Sequence, residues 1–144
     1  MATCTFFGHR DTPDKAEEVL RKAVINLIEN ENVNLFYVGN NGNFDRIVLK
    51  TLKQLKEKYP YIIFYVVLAY VPKNRNQEEY ELTIIPEAVE KVPYKFAILE
   101  RNNWMISKSD FVIGYVNGIG KSNDFLKLAE KKGLFVINIA DKIT

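Results

Sequence analysis

Three short stretches of this chain carry residue types that grip anions. Gly8-His9-Arg10-Asp11 follows one apolar run. Gly39-Asn40-Asn41-Gly42-Asn43-Phe44-Asp45 follows a second, and Asn117-Gly118-Ile119-Gly120-Lys121-Ser122 a third. Arginine is always charged and holds a phosphate through two parallel hydrogen bonds. Histidine donates or accepts near neutral pH, and His9 is the one histidine of the chain. Glycine lets the backbone turn tightly and approach a ligand closely. The candidate ligand-binding residues are therefore Gly8, His9 and Arg10, then Gly39, Asn40, Asn41, Gly42 and Asp45, then Gly118, Gly120, Lys121 and Ser122. Asp45 suits a ribose hydroxyl, or simply the dipole of the helix that it opens. Arg10 could instead pair with Asp11 or Asp14. Arg101, beside Asn102, Asn103, Trp104 and Met105, could reach the same place or lie exposed on its helix.

The elements that must position these stretches alternate in period. Thr3 to Phe7 reads as a strand. Between Pro13 and Glu29, residues Ala16, Val19, Leu20, Ala23, Val24, Leu27 and Ile28 share one helical face. Thr12 and Pro13 suit the cap and first position of that helix. Asn34 to Val38 reads as a strand, and Phe44 to Leu55 as an amphipathic helix stopped before Pro60. Tyr61 to Tyr70 is apolar almost throughout, as expected of a strand covered on both faces. Residues 71–93 are irregular, with a basic pair, Lys73 and Arg75, an acidic group, Glu78, Glu79 and Glu81, and a short helix near Pro86 to Lys91. Such a segment suits a lid or a solvated connection. Helical spacing returns from Tyr94 to Ser109. Asp110 to Val116 is a strand, Ser122 to Lys132 a helix ending at Gly133, and Leu134 to Ile139 the last strand. This order predicts an α/β, Rossmann-like, doubly wound fold. Its mainly parallel sheet has five strands, with helices on both faces. Ligands of such sheets sit beyond the carboxyl ends of the strands, where the three stretches fall.

The chain is 144 residues long, which suits a single domain spanning 1–144. One cysteine and one histidine exclude an internal disulfide and a Cys/His zinc site, so no metal is expected. Cys4, inside a strand, reads as a small buried side chain. Twenty basic and 18 acidic side chains leave a net charge of +2. That balance argues against a nucleic-acid partner. Neither a signal peptide nor a run long enough to span a bilayer is visible, so a cytoplasmic protein with no membrane partner is expected. Gly120-Lys121-Ser122 has the ending of a P-loop, but Tyr115 stands where that motif needs its first glycine. A Walker-type NTPase is excluded; phosphate binding by this strand, loop and helix is not.

The segments CTFFGHRDTP, FYVGNNGNFDRIVLKTLKQLKEKYP, YVVLAYVP, ERNNWMISKSDFVIGYV and LAEKKGLFVINI cover nearly the whole chain in order. Together they resemble the SLOG superfamily, which joins DNA-processing Smf proteins to the Lonely guy enzymes. The similarity is greatest to short stand-alone SLOG proteins of Firmicutes and their phages. It implies a Rossmann-like fold with a nucleotide-type pocket involving Gly8, His9, Arg10, Gly39, Asn40, Gly42, Asp45 and Arg101. Relatives usually carry a Gly-Gly pair in the loop after the fourth strand. Here the pair is Gly120-Lys121 in a slightly short loop, so Lys121 either fills phosphate space or adds a contact.

Lonely guy enzymes cleave the base from a nucleoside monophosphate. Arg101 resembles their catalytic arginine, but their Pro-Gly-Gly-x-Gly-Thr-x-x-Glu motif is absent, and Asp124 is the nearest acid to the missing glutamate. Glycosidic cleavage needs a placed carboxylate, so its absence favours binding over turnover. The resemblance then implies a non-catalytic protein that senses or sequesters a small phosphorylated ligand. Such a ligand would be a nucleotide or an ADP-ribose or cyclic ADP-ribose type molecule, in phage defence or counter-defence. An aromatic such as Tyr70, Trp104 or Tyr115 would stack on its base. The alternatives are a Lonely guy-type hydrolase using Arg101 with Asp45 or Asp124, and single-stranded DNA binding. No cofactor is implied, and a homodimer or tetramer is expected.

Overall fold

The computed structural model describes residues 2–70 and 82–142. Strand β1 (Ala2–Gly8) alternates strictly: Cys4 and Phe6 face one core, Phe7 the other. This is the period of two that a strand imposes. Helix α1 (Ala16–Asn30) buries Ala16, Leu20, Val24, Leu27 and Ile28, the apolar face read from the spacing. It begins three residues later than Pro13, because the preceding residues close turns instead. The Thr12 hydroxyl donates to the His9 carbonyl (2.6 Å), and the Ala16 and Glu17 amides donate to the Pro13 and Asp14 carbonyls. Then follow β2 (Val33–Val38), α2 (Asn43–Lys58), β3 (Ile63–Val67), β4 (Thr83–Ile84), the one-turn α3 (Glu87–Glu90), α4 (Ala97–Ser107), β5 (Phe111–Tyr115), α5 (Lys121–Lys131) and β6 (Phe135–Asn138).

All strand pairs are parallel, in the order β4-β3-β2-β1-β5-β6. The sheet thus has six strands, not five. The additional one, β4, is a two-residue edge strand inside the segment read as irregular, too short to show any period. Residues 71–81 of that segment, with Lys73, Arg75 and the acidic group, lie outside the described residues. One face of the sheet is covered by α1 and α2, the other by α4 and α5. The chain winds outward from β1 to β4, then returns to place β5 on the other side of β1. The switch point therefore lies between β1 and β5, at the carboxyl ends of both.

Two side chains set the β5–α5 loop at that point. Asn138 on β6 accepts the Val116 amide (3.1 Å) and donates to the Val116 carbonyl (2.9 Å). His9 Nε2, beyond β1, accepts the Asn117 amide (2.9 Å). No helix among the described residues is long and apolar enough to cross a membrane.

The close β1–β5 pairing depends on Gly114. A Cβ there would stand 2.7 Å from the Phe7 carbonyl oxygen and 2.8 Å from Leu126. Gly114→Ala should destabilise the fold by roughly 1–3 kcal/mol through overpacking, read as a lower urea midpoint at unchanged slope. An unchanged midpoint would show that the two strands can separate without cost.

Candidate functional site

At the switch point lies a cleft of about 590 Å³. Its floor is the end of β1, Phe6 to Gly8. One wall is α4 with the turn before it (Lys95, Phe96, Leu99, Arg101, Asn102, Met105). The other is the start of α5 (Lys121, Ser122, Asp124, Phe125, Leu128). Arg10, Gly39, Asn41 and Asp45 close one end. The cleft is therefore cationic and polar at the carboxyl edge of the sheet and apolar farther in between the helices.

The polar end is organised by Arg101, which is 3% exposed. Its Nη1 donates to Asn41 Oδ1 (2.8 Å), to Asn40 Oδ1 (3.2 Å) and to the Val67 carbonyl (3.4 Å). Its Nε donates to Asn102 Oδ1 (2.9 Å). Burial pulls its pKa down, and the Asp45 carboxylate opposes that shift. Asp45, 8% exposed, accepts the Asn41 amide (2.9 Å). Burial pushes its pKa up to about 6, against the pull of that amide and of Arg101 and Arg10. Gly39 stands between the two charges. A Cβ there would lie 2.9 Å from Asp45 Oδ2 and 3.1 Å from the Arg101 guanidinium, so only glycine lets both converge. Gly42, at φ +96°, packs where a Cβ would meet the Arg10 backbone at 2.7 Å. The Asn43 amide then donates to the Arg10 carbonyl (2.8 Å). Two of the loops named from sequence are thereby fastened together.

Of the residues singled out from sequence, Gly8, Arg10, Gly39, Asn41, Asp45, Arg101, Lys121 and Ser122 line the cleft, as does Asp124. Asn40 and Gly42 line a neighbouring cavity that shares Asp45. His9, Gly118 and Gly120 line neither; His9 instead holds Asn117, as above, and the two glycines turn the exposed loop. The aromatics suggested for stacking are engaged elsewhere. Tyr70 stacks on Tyr94 (4.2 Å), Trp104 meets Tyr37 edge-on (5.0 Å), and Tyr115 meets His9 edge-on (6.3 Å). Phe96 and Phe125 line the cleft in their place. The signal for Phe96 was present in sequence: a large apolar residue beside Lys95, one and a half turns before Arg101. Cys4 is fully buried, and burial pushes its thiol pKa up, so it is no nucleophile.

No family model and no curated protein matches the chain. Among solved structures, the chain is similar to DNA processing protein A from Helicobacter pylori, which is described as binding single-stranded DNA. The match has a TM-score of 0.63 at 17% identity and covers 94% of this chain. The chain spans 64% of that protein. At this identity the likeness establishes a shared fold. It also overturns the expectation of a small ligand to the exclusion of nucleic acid, because a protein of this fold does bind a single strand. The physical reason is that net charge averages the whole surface. Arg10, Lys95, Arg101 and Lys121 gather at one cleft against Asp45 and Asp124, and it is this local field that a phosphate meets.

Asp45 makes the site pH-sensitive. Its folded pKa of about 6 lies above the model-compound value of 3.8, so the folded chain holds the proton more tightly. The stability this confers is complete below about pH 4 and is lost as pH rises through about 6, by at most about 3 kcal/mol. Asp45→Asn, which can still accept the Asn41 amide, should flatten stability across that window. Urea midpoints measured from pH 4 to pH 7 on both proteins provide the check. Parallel profiles would mean that Asp45 is solvated in solution.

Proposed function

We propose that this chain is a SLOG-type protein whose cleft binds single-stranded DNA, taking one nucleotide unit at a time into the switch-point cavity. The observation that carries this reading is the union, in one cavity, of a cationic end and an aromatic wall. A nucleotide has the same two halves. The volume of about 590 Å³ lies within the range of small-molecule pockets. The phosphate would meet Arg10 and Lys121 and the free amides at the start of α5, where the dipole also favours an anion. Arg101 already donates from Nε and Nη1 to Asn40, Asn41, Asn102 and Val67. Its part is to hold the loop. The base would lie against Phe96, which is 45% exposed, opposite Phe125, itself stacked on Phe7 at 5.3 Å. Stacking of this kind tolerates every base, so binding is expected to show little sequence preference.

Fluorescence anisotropy with a labelled oligothymidylate tests the reading. Wild-type protein should bind with an affinity that falls as salt rises, by a slope of about 0.7 per phosphate engaged. Phe96→Ala should weaken binding by roughly 1–3 kcal/mol. Arg10→Ala with Lys121→Ala should weaken it and also reduce the slope by about 1.4. Folded protein that retains no single strand at low salt would overturn the reading. If it instead binds free nucleotides or ADP-ribose, the cleft serves a small ligand. If it releases free base from a nucleoside monophosphate, it is a hydrolase.

A further inference from the structure

The cavity next to the cleft is about 540 Å³ and is lined by Asn40 and Gly42 of the β2–α2 loop and by Arg46, Lys50 and Lys53 of α2. Beyond the buried Asp45, the charged residues of α2 are Arg46, Lys50, Lys53, Lys56, Lys58 and Glu57, a strong cationic excess. The spacing of Arg46, Lys50 and Lys53 places them on one face. The opposite face, with Ile47, Val48, Leu52 and Leu55, is buried in the core. Lys56 is set apart, since it donates to the Pro60 and Ile62 carbonyls at the end of the helix.

Arg46 pairs with Asp14 (2.8 Å) and Lys50 with Glu17 (3.1 Å). The Arg46–Asp14 pair is largely exposed, whereas Glu17 is partly buried and also pairs with Arg21; surface pairs contribute only about 0–1 kcal/mol, so a phosphate can compete for the cations. The two cavities adjoin. They share Asp45, and Arg10 of the cleft packs directly against Gly42 of the second cavity. Cations therefore run from Lys121 and Arg10 in the cleft onto Arg46, Lys50 and Lys53, the last three spanning about 10 Å along the helix.

We propose that α2 carries a second phosphate track: a strand seated in the cleft passes over Arg10 and lays its next phosphates along Arg46, Lys50 and Lys53. The track rests on the single-strand reading of the cleft. A free nucleotide would fill only the cleft, whereas a polymer uses both cavities.

The test compares a labelled thymidine dinucleotide with a strand of about ten nucleotides, a length within typical single-strand site sizes, each across a salt series. Wild-type protein should bind the long strand more tightly and with a steeper slope. Lys50→Gln with Lys53→Gln should leave the dinucleotide affinity unchanged, which also shows that the fold is intact. The same variant should weaken the long strand about tenfold and lower its slope by roughly 1.4. Lys127→Gln, on α5 and outside both cavities, should change neither. If the double variant binds the long strand with wild-type affinity and slope, the track is refuted and the cleft reading stands. If wild-type protein binds neither probe, both fall together.

Discussion

The guanidinium of Arg101 is the contact on which the rest of the site depends. It comes from α4 on one face of the sheet. It bonds to the loop that leads into α2 on the other face, and to the last carbonyl of β3. A buried cation is costly unless its donors are satisfied and a counter-charge is near. Asn40, Asn41, Asn102 and Val67 accept from its Nε and Nη1, and Asp45 supplies the counter-charge across Gly39. The arrangement holds two helical layers in fixed relation at the carboxyl edge of the sheet, and the cleft is the space left between them.

The same arrangement accounts for the electrostatics. Arg101 and Asp45 are largely withdrawn from solvent, and their charges nearly cancel at neutral pH. The charge presented outward comes from Arg10, Lys95 and Lys121, and farther along from α2. A chain with a net charge of +2 can thus hold a focused positive cleft, because opposite charges lie elsewhere on the surface. Low net charge limits non-specific attraction and leaves selection to the local site.

How much of this was legible in the sequence differs from element to element. The apolar face of α1 and the alternation in β1 were readable, because burial on one face imposes a period on any helix or strand. The anion-gripping loops were readable because glycine and asparagine cluster where strands end. β4 was not, since two residues carry no period. The start of α1 was misplaced because Thr12 bonds backward to His9 instead of capping forward. The stacking aromatics were misassigned because a sequence shows that a ring exists but not which way it faces. Tyr70, Trp104 and Tyr115 were each taken up by another ring.

The sequence by itself determined the parallel α/β alternation and the loops that would meet at one edge, since both follow from local periodicity and from the short range of turn chemistry. The tertiary structure decided which of those residues face the cleft. His9 was drawn off to hold Asn117, and Asn40 and Gly42 fell into the adjoining cavity. It also decided that Asp45 is buried deeply enough to titrate near 6, and that the positive charges converge. These are properties of distance and desolvation among residues far apart in the chain, and only packing brings such residues together.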